Sequence, residues 1–257
     1  MKEVLSSRTY ETKIDQREMD SFAQAIRSPA SSLPTFFTRF REGEFELLER
    51  LKIPLSSVVH GEQVYERVAE PKSGEHLLFQ TMCVGDLEKT GKMGPMRFLV
   101  FETTFSNSLG ASRGKARSTL IQMLGGTPAG NPAPLESASG EDISIDAMIT
   151  REWLREYSVA ASDPNPIHLE DQAARALGLR SIIAHGMLVA AFGIERANLP
   201  EVVRERLKQG QATLRILFRG MTFLGDSLKV ESTFDTNHAS IKIRAGLPSP
   251  VVEIELR

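Results

Sequence analysis

The 257-residue chain has a single cysteine, Cys83, so it closes no intramolecular disulfide and offers no thiolate cluster to a metal. Apolar filling is the role expected of that sulfur. The chain also lacks an excess of either charge. Its 31 Lys and Arg stand against 33 Asp and Glu, leaving no basic surplus to neutralise a phosphate backbone, so a nucleic-acid partner is not expected. No run of 18 apolar residues occurs, and the opening Met1-Lys-Glu-Val-Leu5 has no apolar signal core; a cytoplasmic protein without membrane contact is expected. Gly-rich phosphate loops, nucleophile elbows and metal-ligand spacings are missing as well, so neither cofactor nor metal is expected. What is present, 41% hydrophobic and 25% charged residues, is an ordinary globular composition with length for one large core or two small ones.

Periodic apolar patterning fails between Gly125 and Gly140, where Gly, Pro and small polar residues predominate. This divides the chain into an N-terminal unit over 1–124, a linker over 125–140 and a C-terminal unit over 141–257. The two units echo each other. Met19 to Pro29 aligns without a gap on Leu154 to Pro164, pairing Phe22 with Tyr157, Ala25 with Ala160 and Pro29 with Pro164, each as a short helix ended before proline. Val58-Val-His-Gly61 reappears as Ile183-Ala-His-Gly186. Alternation at Leu228, Val230 and Phe234, at Ile241 and Ile243, and at Val252, Ile254 and Leu256 predicts strands with one wet face, and Leu77 to Val84 and Phe98 to Phe105 read as strands of the first unit. The stretch from Gly186 to Ala197 starts apolar nearly all round, as an internal helix does. A helix wrapped by antiparallel sheet, twice over, gives an α+β fold.

Polar chemistry concentrates in Asp163-Pro-Asn-Pro-Ile-His168. Pro164 and Pro166 push Asp163 and Asn165 out of helical geometry, placing the cluster on a braced loop after a helix. A straight strand would turn Asp163 and Asn165 to one face and His168 to the other, so the loop must bend if they are to converge. In the plainer reading Asp163 and Asn165 cap turns and His168 closes the entrance to a helix over Leu169 to Leu177. Gly186 leaves the first amides of the next helix open to hold a carbonyl oxygen, or else permits tight packing against the sheet. His185 reads as a polar residue on the cavity wall.

The run from Tyr157 to His168, followed by Ile182-Ile-Ala-His-Gly-Met187, resembles the MaoC-like, or hydratase 2, family of hot-dog proteins. The first unit, through Pro34-Thr-Phe-Phe37 and Val59-His-Gly-Glu-Gln63, resembles the catalytically silent hot-dog fused to an active one. The resemblance implies a double hot-dog and R-specific hydration of trans-2-enoyl thioesters, or the reverse dehydration, on acyl-CoA or acyl-ACP. It implies that Asp163 and His168 hold the water, with Asn165 orienting them, and that a backbone amide of Gly186 or Met187 polarises the thioester. Tyr157, Ser162, His185 and Ala191 fall at substrate-pocket positions. In the first unit Ser28, Ala30 and Leu33 stand where Asp163, Asn165 and His168 would, so one dyad per chain is expected. The 33 positions from Ser28 to Gly61, against 23 from Asp163 to Gly186, would widen a tunnel for a long acyl chain. Two departures bear on how the dyad is held: Ala161-Ser162 replaces the family's Ser-Gly, and Ala191 replaces a frequent serine. Thioester hydrolysis and non-catalytic acyl binding are the alternatives, and a homodimer of double hot-dogs is compatible with the sequence.

Overall fold

A computed structural model describes residues 4–28, 34–91, 94–124, 146–235, 238–246 and 248–257. The N-terminal half contains β1 (Leu5–Ser6), β2 (Tyr10–Lys13), α1 (Gln16–Ala25), α2 (Glu42–Arg50), β3 (Val58–Glu66), β4 (His76–Gly91), β5 (Gly94–Asn107) and β6 (Ser112–Met123). The C-terminal half contains β7 (Ala147–Met148), α3 (Arg151–Ala160), α4 (Asp171–Ala176), α5 (Gly186–Arg196), α6 (Glu201–Lys208), β8 (Thr213–Phe218), β9 (Ser227–Phe234), β10 (Ala239–Ala245) and β11 (Val252–Leu256). Short 3-10 turns span Pro34–Arg39, Leu55–Ser57 and Pro166–His168. The strands join in one antiparallel sheet of order β1-β4-β5-β6-β3-β8-β11-β10-β9-β7, with β2 also on β4. The two halves meet where β3 pairs with β8, from Glu62 opposite Leu217 to Glu66 opposite Thr213.

The repeat is real at the opening helices. Helices α1 and α3 start 135 positions apart, at Gln16 and Arg151, each behind a residue whose side chain takes a free backbone amide: Asp15 from Arg17 at 2.7 Å and Thr150 from Trp153 at 3.2 Å. Both end in a left-handed residue, Arg27 at φ 55° and Ser162 at φ 52°. The next amides, of Ser28 and Asp163, then bond back to Ala23 and Ser158. Ser28 therefore occupies the register of Asp163, as the alignment requires; Ala30 and Leu33 lie outside the described residues, as does the linker over 125–140.

Helix α5 is the C-terminal core. Met187 to Ile194 are buried without a break, against Ile216, Ile241, Ile243 and Ile254 of the surrounding strands. Each such aliphatic side chain contributes about 1.5–3 kcal/mol on burial, which explains why the helix has no polar face there. Helix α2 is the N-terminal counterpart, its Leu47 and Leu48 packed with Leu99, Phe101 and Leu120.

Three expectations are corrected. Phe234 ends β9 about half exposed instead of on the buried face. His60-Gly61 lies inside β3, after the central helix, whereas His185-Gly186 opens α5. The shared dipeptide thus marks different places in the two halves, and by position in the fold Arg41-Glu42 is the partner of His185-Gly186. Counted to that helix start, the first half runs 14 positions from Ser28 to Glu42, against 23 from Asp163 to Gly186, so it is shorter there, not longer. The count that suggested a widened tunnel therefore compared positions that are not equivalent in the fold. No helix among the described residues is long and apolar enough to cross a membrane.

Candidate active site

The loop after α3 bends as its prolines demand. Ser162 takes the left-handed conformation that glycine adopts freely, so the departure from Ser-Gly is absorbed as backbone strain at an exposed residue and not as a displaced loop. The Asp163 carboxylate receives the Asn165 amide at 3.2 Å, an Asx turn, and the Asn165 side-chain oxygen receives the Ile167 amide at 3.3 Å. The next turn carries His168 back towards Asp163. Its Nδ1 lies 2.9 Å from the Ile183 carbonyl oxygen, which can only accept, so Nδ1 bears the proton and Nε2 is left as a free base.

His185 enters from the head of α5. Its ring lies on that of His168 with centroids 3.9 Å apart and on that of Tyr157 at 5.1 Å. The nearest nitrogen or carboxylate atoms of Asp163, His168 and His185 all fall within 4.8 Å of one another. Asn165 is not part of this convergence in its side chain: Nδ2 donates to the Leu55 carbonyl of the first half at 3.0 Å. The first helical bond of α5 runs from Val189 to His185 at 3.2 Å, so the amides of Gly186 and Met187 precede the ladder. A Cβ on Gly186 would meet the Phe218 ring at 2.7 Å, so close packing by itself requires glycine here. Gly186→Val is accordingly expected to destabilise the protein by about 1–3 kcal/mol, read as a lowered thermal midpoint; an unchanged midpoint would show that the ring moves aside freely. Tyr157 is buried with its hydroxyl unpartnered, Ser162 is exposed, and Ala191 is buried within α5.

Sequence reasoning missed the N-terminal half's contribution. Arg41, buried just before α2, sets Nη1 2.8 Å from Asp163 Oδ2 and Nε 2.9 Å from Glu44, whose other oxygen takes the Ser118 hydroxyl. Arg39 donates to the Ala160 carbonyl at the end of α3. An Arg–Glu pair three residues apart reads in sequence as a solvated helix pair, so no local signal reveals that it is internal.

Burial would raise the Asp163 carboxyl, but the Arg41 guanidinium outweighs that and holds it well below the usual carboxylate range. Burial lowers His168, only partly opposed by Asp163, and pushes His185 down to about 3. The site therefore holds an anion beside two neutral imidazoles. Asp163, His168 and His185 offer one carboxylate and two imidazoles to a cation, yet both carboxylate oxygens are engaged and Arg41 places a fixed positive charge on one of them, so a divalent ion would meet repulsion.

Known proteins resemble the chain in sequence and in fold. The MaoC-like domain model matches residues 137–246, and the model for the FAS1-like dehydratase domain region matches residues 19–112. Fatty acid synthase subunit beta of Gibberella zeae is 33% identical over 118 residues, 45% of this chain, but the match covers only 6% of that subunit. The 3-hydroxyacyl-thioester dehydratase X of Mycobacterium tuberculosis is 35% identical over 93 residues, 35% of this chain and 32% of that protein. In three dimensions the crystal structure of HtdX from the same organism superposes with a TM-score of 0.74 at 18% identity, over 97% of this chain and 98% of that one. A further M. tuberculosis protein described as having a double hot-dog fold superposes at 0.61 with 10% identity, over 97% and 94% of the two chains. With a match to the MaoC-like domain behind a match to the FAS1-like dehydratase region, and the two halves joined along β3 and β8, the chain has a double hot-dog fold with a MaoC-like C-terminal half.

Proposed function

We propose that the chain adds water to trans-2-enoyl thioesters to form R-3-hydroxyacyl thioesters, and catalyses the reverse, on a CoA or acyl-carrier-protein thioester. The observation that carries this reading is the convergence of Asp163 and His168, whose nearest carboxylate and ring atoms lie within 4.8 Å, with His168 Nδ1 taken by the Ile183 carbonyl and Nε2 left as a base. In the forward direction a water held between them gives a proton to His168 Nε2 as its oxygen bonds to Cβ. The C=C electron pair shifts to the thioester oxygen, where the Gly186 or Met187 amide receives the growing charge. The enolate then collapses as His168 returns the proton to Cα, so that one water is added and the imidazole is restored. Asp163 stays an anion throughout, accepting a hydrogen bond from the O–H that the water keeps and stabilising the transient imidazolium. The names of the fungal synthase subunit and the mycobacterial dehydratase support this reaction class.

The test is an assay with crotonyl-CoA and longer enoyl-CoA substrates, following loss of the enoyl absorbance alongside a thiol reagent. Hydration is expected without thiol release; thiol release would replace this reading with hydrolysis, and acyl binding with neither signal would make the chain a binding subunit. The pH profile follows from the charge states. The base must be neutral, so the rate rises with pH through the His168 value, and since burial lowers that value the half-maximal rate is expected below the ordinary imidazole value of about 6.5. Asp163 ionises lower still and adds no fall on the alkaline side. A midpoint above 7 would contradict this assignment.

A further inference from the structure

We propose that Arg41, from the half without a dyad, is a positioning residue for the reaction: it fixes the Asp163 carboxylate in one orientation and supplies the counter-charge that screens His168 from it. The proposal rests on the dyad reading above, and its test has one arm that needs no turnover.

The geometry is a buried chain across the seam of the two halves. Ser118 on β6 holds Glu44, Glu44 holds Arg41 Nε, and Arg41 Nη1 holds Asp163 Oδ2. Arg41 and Glu44 are both buried, and a buried guanidinium with two carboxylate partners has few alternative places to go. Because the remaining Asp163 oxygen takes the Asn165 amide, the carboxylate is held from both sides and cannot rotate away from the water site. The loop is pinned at two more points by the same half, through Arg39 on the Ala160 carbonyl and the Leu55 carbonyl on Asn165.

The charge balance follows from the neighbours. Asp163 draws the His168 proton affinity up and Arg41 draws it down. From α2, Glu44 is committed to Arg41. From β3, His60 is kept neutral by burial, at about 4, and burial raises the Tyr65 hydroxyl beyond its ordinary range. From α3, burial likewise holds Tyr157 protonated, and His185 at the head of α5 is neutral. Arg39, the other guanidinium near the loop, is paired with Glu18 at 2.8 Å. Arg41 is thus the cation among the described residues that offsets Asp163 at His168.

Arg41→Met should move the acid limb of the hydration rate upward by roughly one pH unit, because the Asp163 field on His168 is then uncompensated. Arg41→Lys keeps the charge without the fork and should lower kcat while leaving the midpoint near that of the parent. Glu44→Gln strengthens the net positive field and should move the midpoint down. A purely structural arginine would lower the rate at every pH with no change of midpoint, and that outcome, in a folded Arg41→Met variant, overturns the proposal. If Arg41→Met does not fold, Glu44→Gln decides: a midpoint that stays or rises overturns it equally. The second arm titrates the ring signal of His168 by NMR; the chain has five histidines, few enough to assign by single substitution. Should no enoyl thioester be hydrated, the function fails while the titration still shows whether Arg41 governs His168.

Discussion

Asp163→Asn and His168→Ala are each expected to slow hydration by about 10²–10⁴-fold, but with different effects on stability. His168→Ala removes the base and a hydrogen bond to Ile183, leaving no buried charge unpaired. Asp163→Asn is nearly isosteric, yet it takes the counter-charge from Arg41, a buried cation then left with Glu44 alone. Breaking such a pair by removing one partner costs about 3–5 kcal/mol, so the asparagine variant should melt well below the alanine variant although it deletes fewer atoms. Because the two residues share one water, the double variant should be scarcely slower than the worse single one. Progress curves and thermal melts on the three proteins check this; parent-like turnover by either single variant would remove Asp163 and His168 from the mechanism.

Trp153→Ala should produce the largest loss of stability of any single truncation away from the site. The indole is almost fully buried on α3, edge-on to Phe192 of α5 at 5.2 Å, and donates Nε1–H to the Ala25 carbonyl of α1 at 2.6 Å. It also carries the Arg27 guanidinium 4.4 Å above its ring. One side chain therefore joins the C-terminal core to the N-terminal opening helix. Aromatic truncations at such sites cost about 3–5 kcal/mol, a large part of the roughly 5–15 kcal/mol that a folded domain has in total. Trp153→Phe keeps most of the packing and strands the Ala25 carbonyl, for about 1–3 kcal/mol. Denaturant unfolding followed by circular dichroism is the measurement, since the substitution removes the sole tryptophan. A midpoint for Trp153→Ala equal to that of Trp153→Phe would mean that the packing contributes nothing and the account is wrong.

Much of the architecture was readable from residue order. The alignment of Met19 to Pro29 on Leu154 to Pro164 located both opening helices, because capping, apolar spacing and the helix stop are local effects written in adjacent residues. The apolar run from Gly186 announced the buried helix for the same reason. The match of His60-Gly61 to His185-Gly186 misled because two residues cannot distinguish a strand interior from a helix start. At the site, the prolines correctly indicated a bent loop, and Asp163 and His168 do approach each other. Arg41 was invisible because its partner lies 122 positions away, and the two meet through the packing of the two halves on each other. Phe234 was misplaced because alternation sets which face a residue takes but not where the sheet stops being covered.

The join along β3 and β8 has a consequence for what the two halves are free to become. Two identical subunits related by a two-fold axis must carry the same residue at equivalent places. At the head of the central helix that rule would give two histidines or two arginines. Covalent succession in one chain lifts the obligation, and here one copy has His185 and the other Arg41, converging on a single carboxylate from opposite sides of the seam. The half with Ser28 in the register of Asp163 can thereby serve as the electrostatic complement of its twin, an arrangement that a symmetric pair cannot encode.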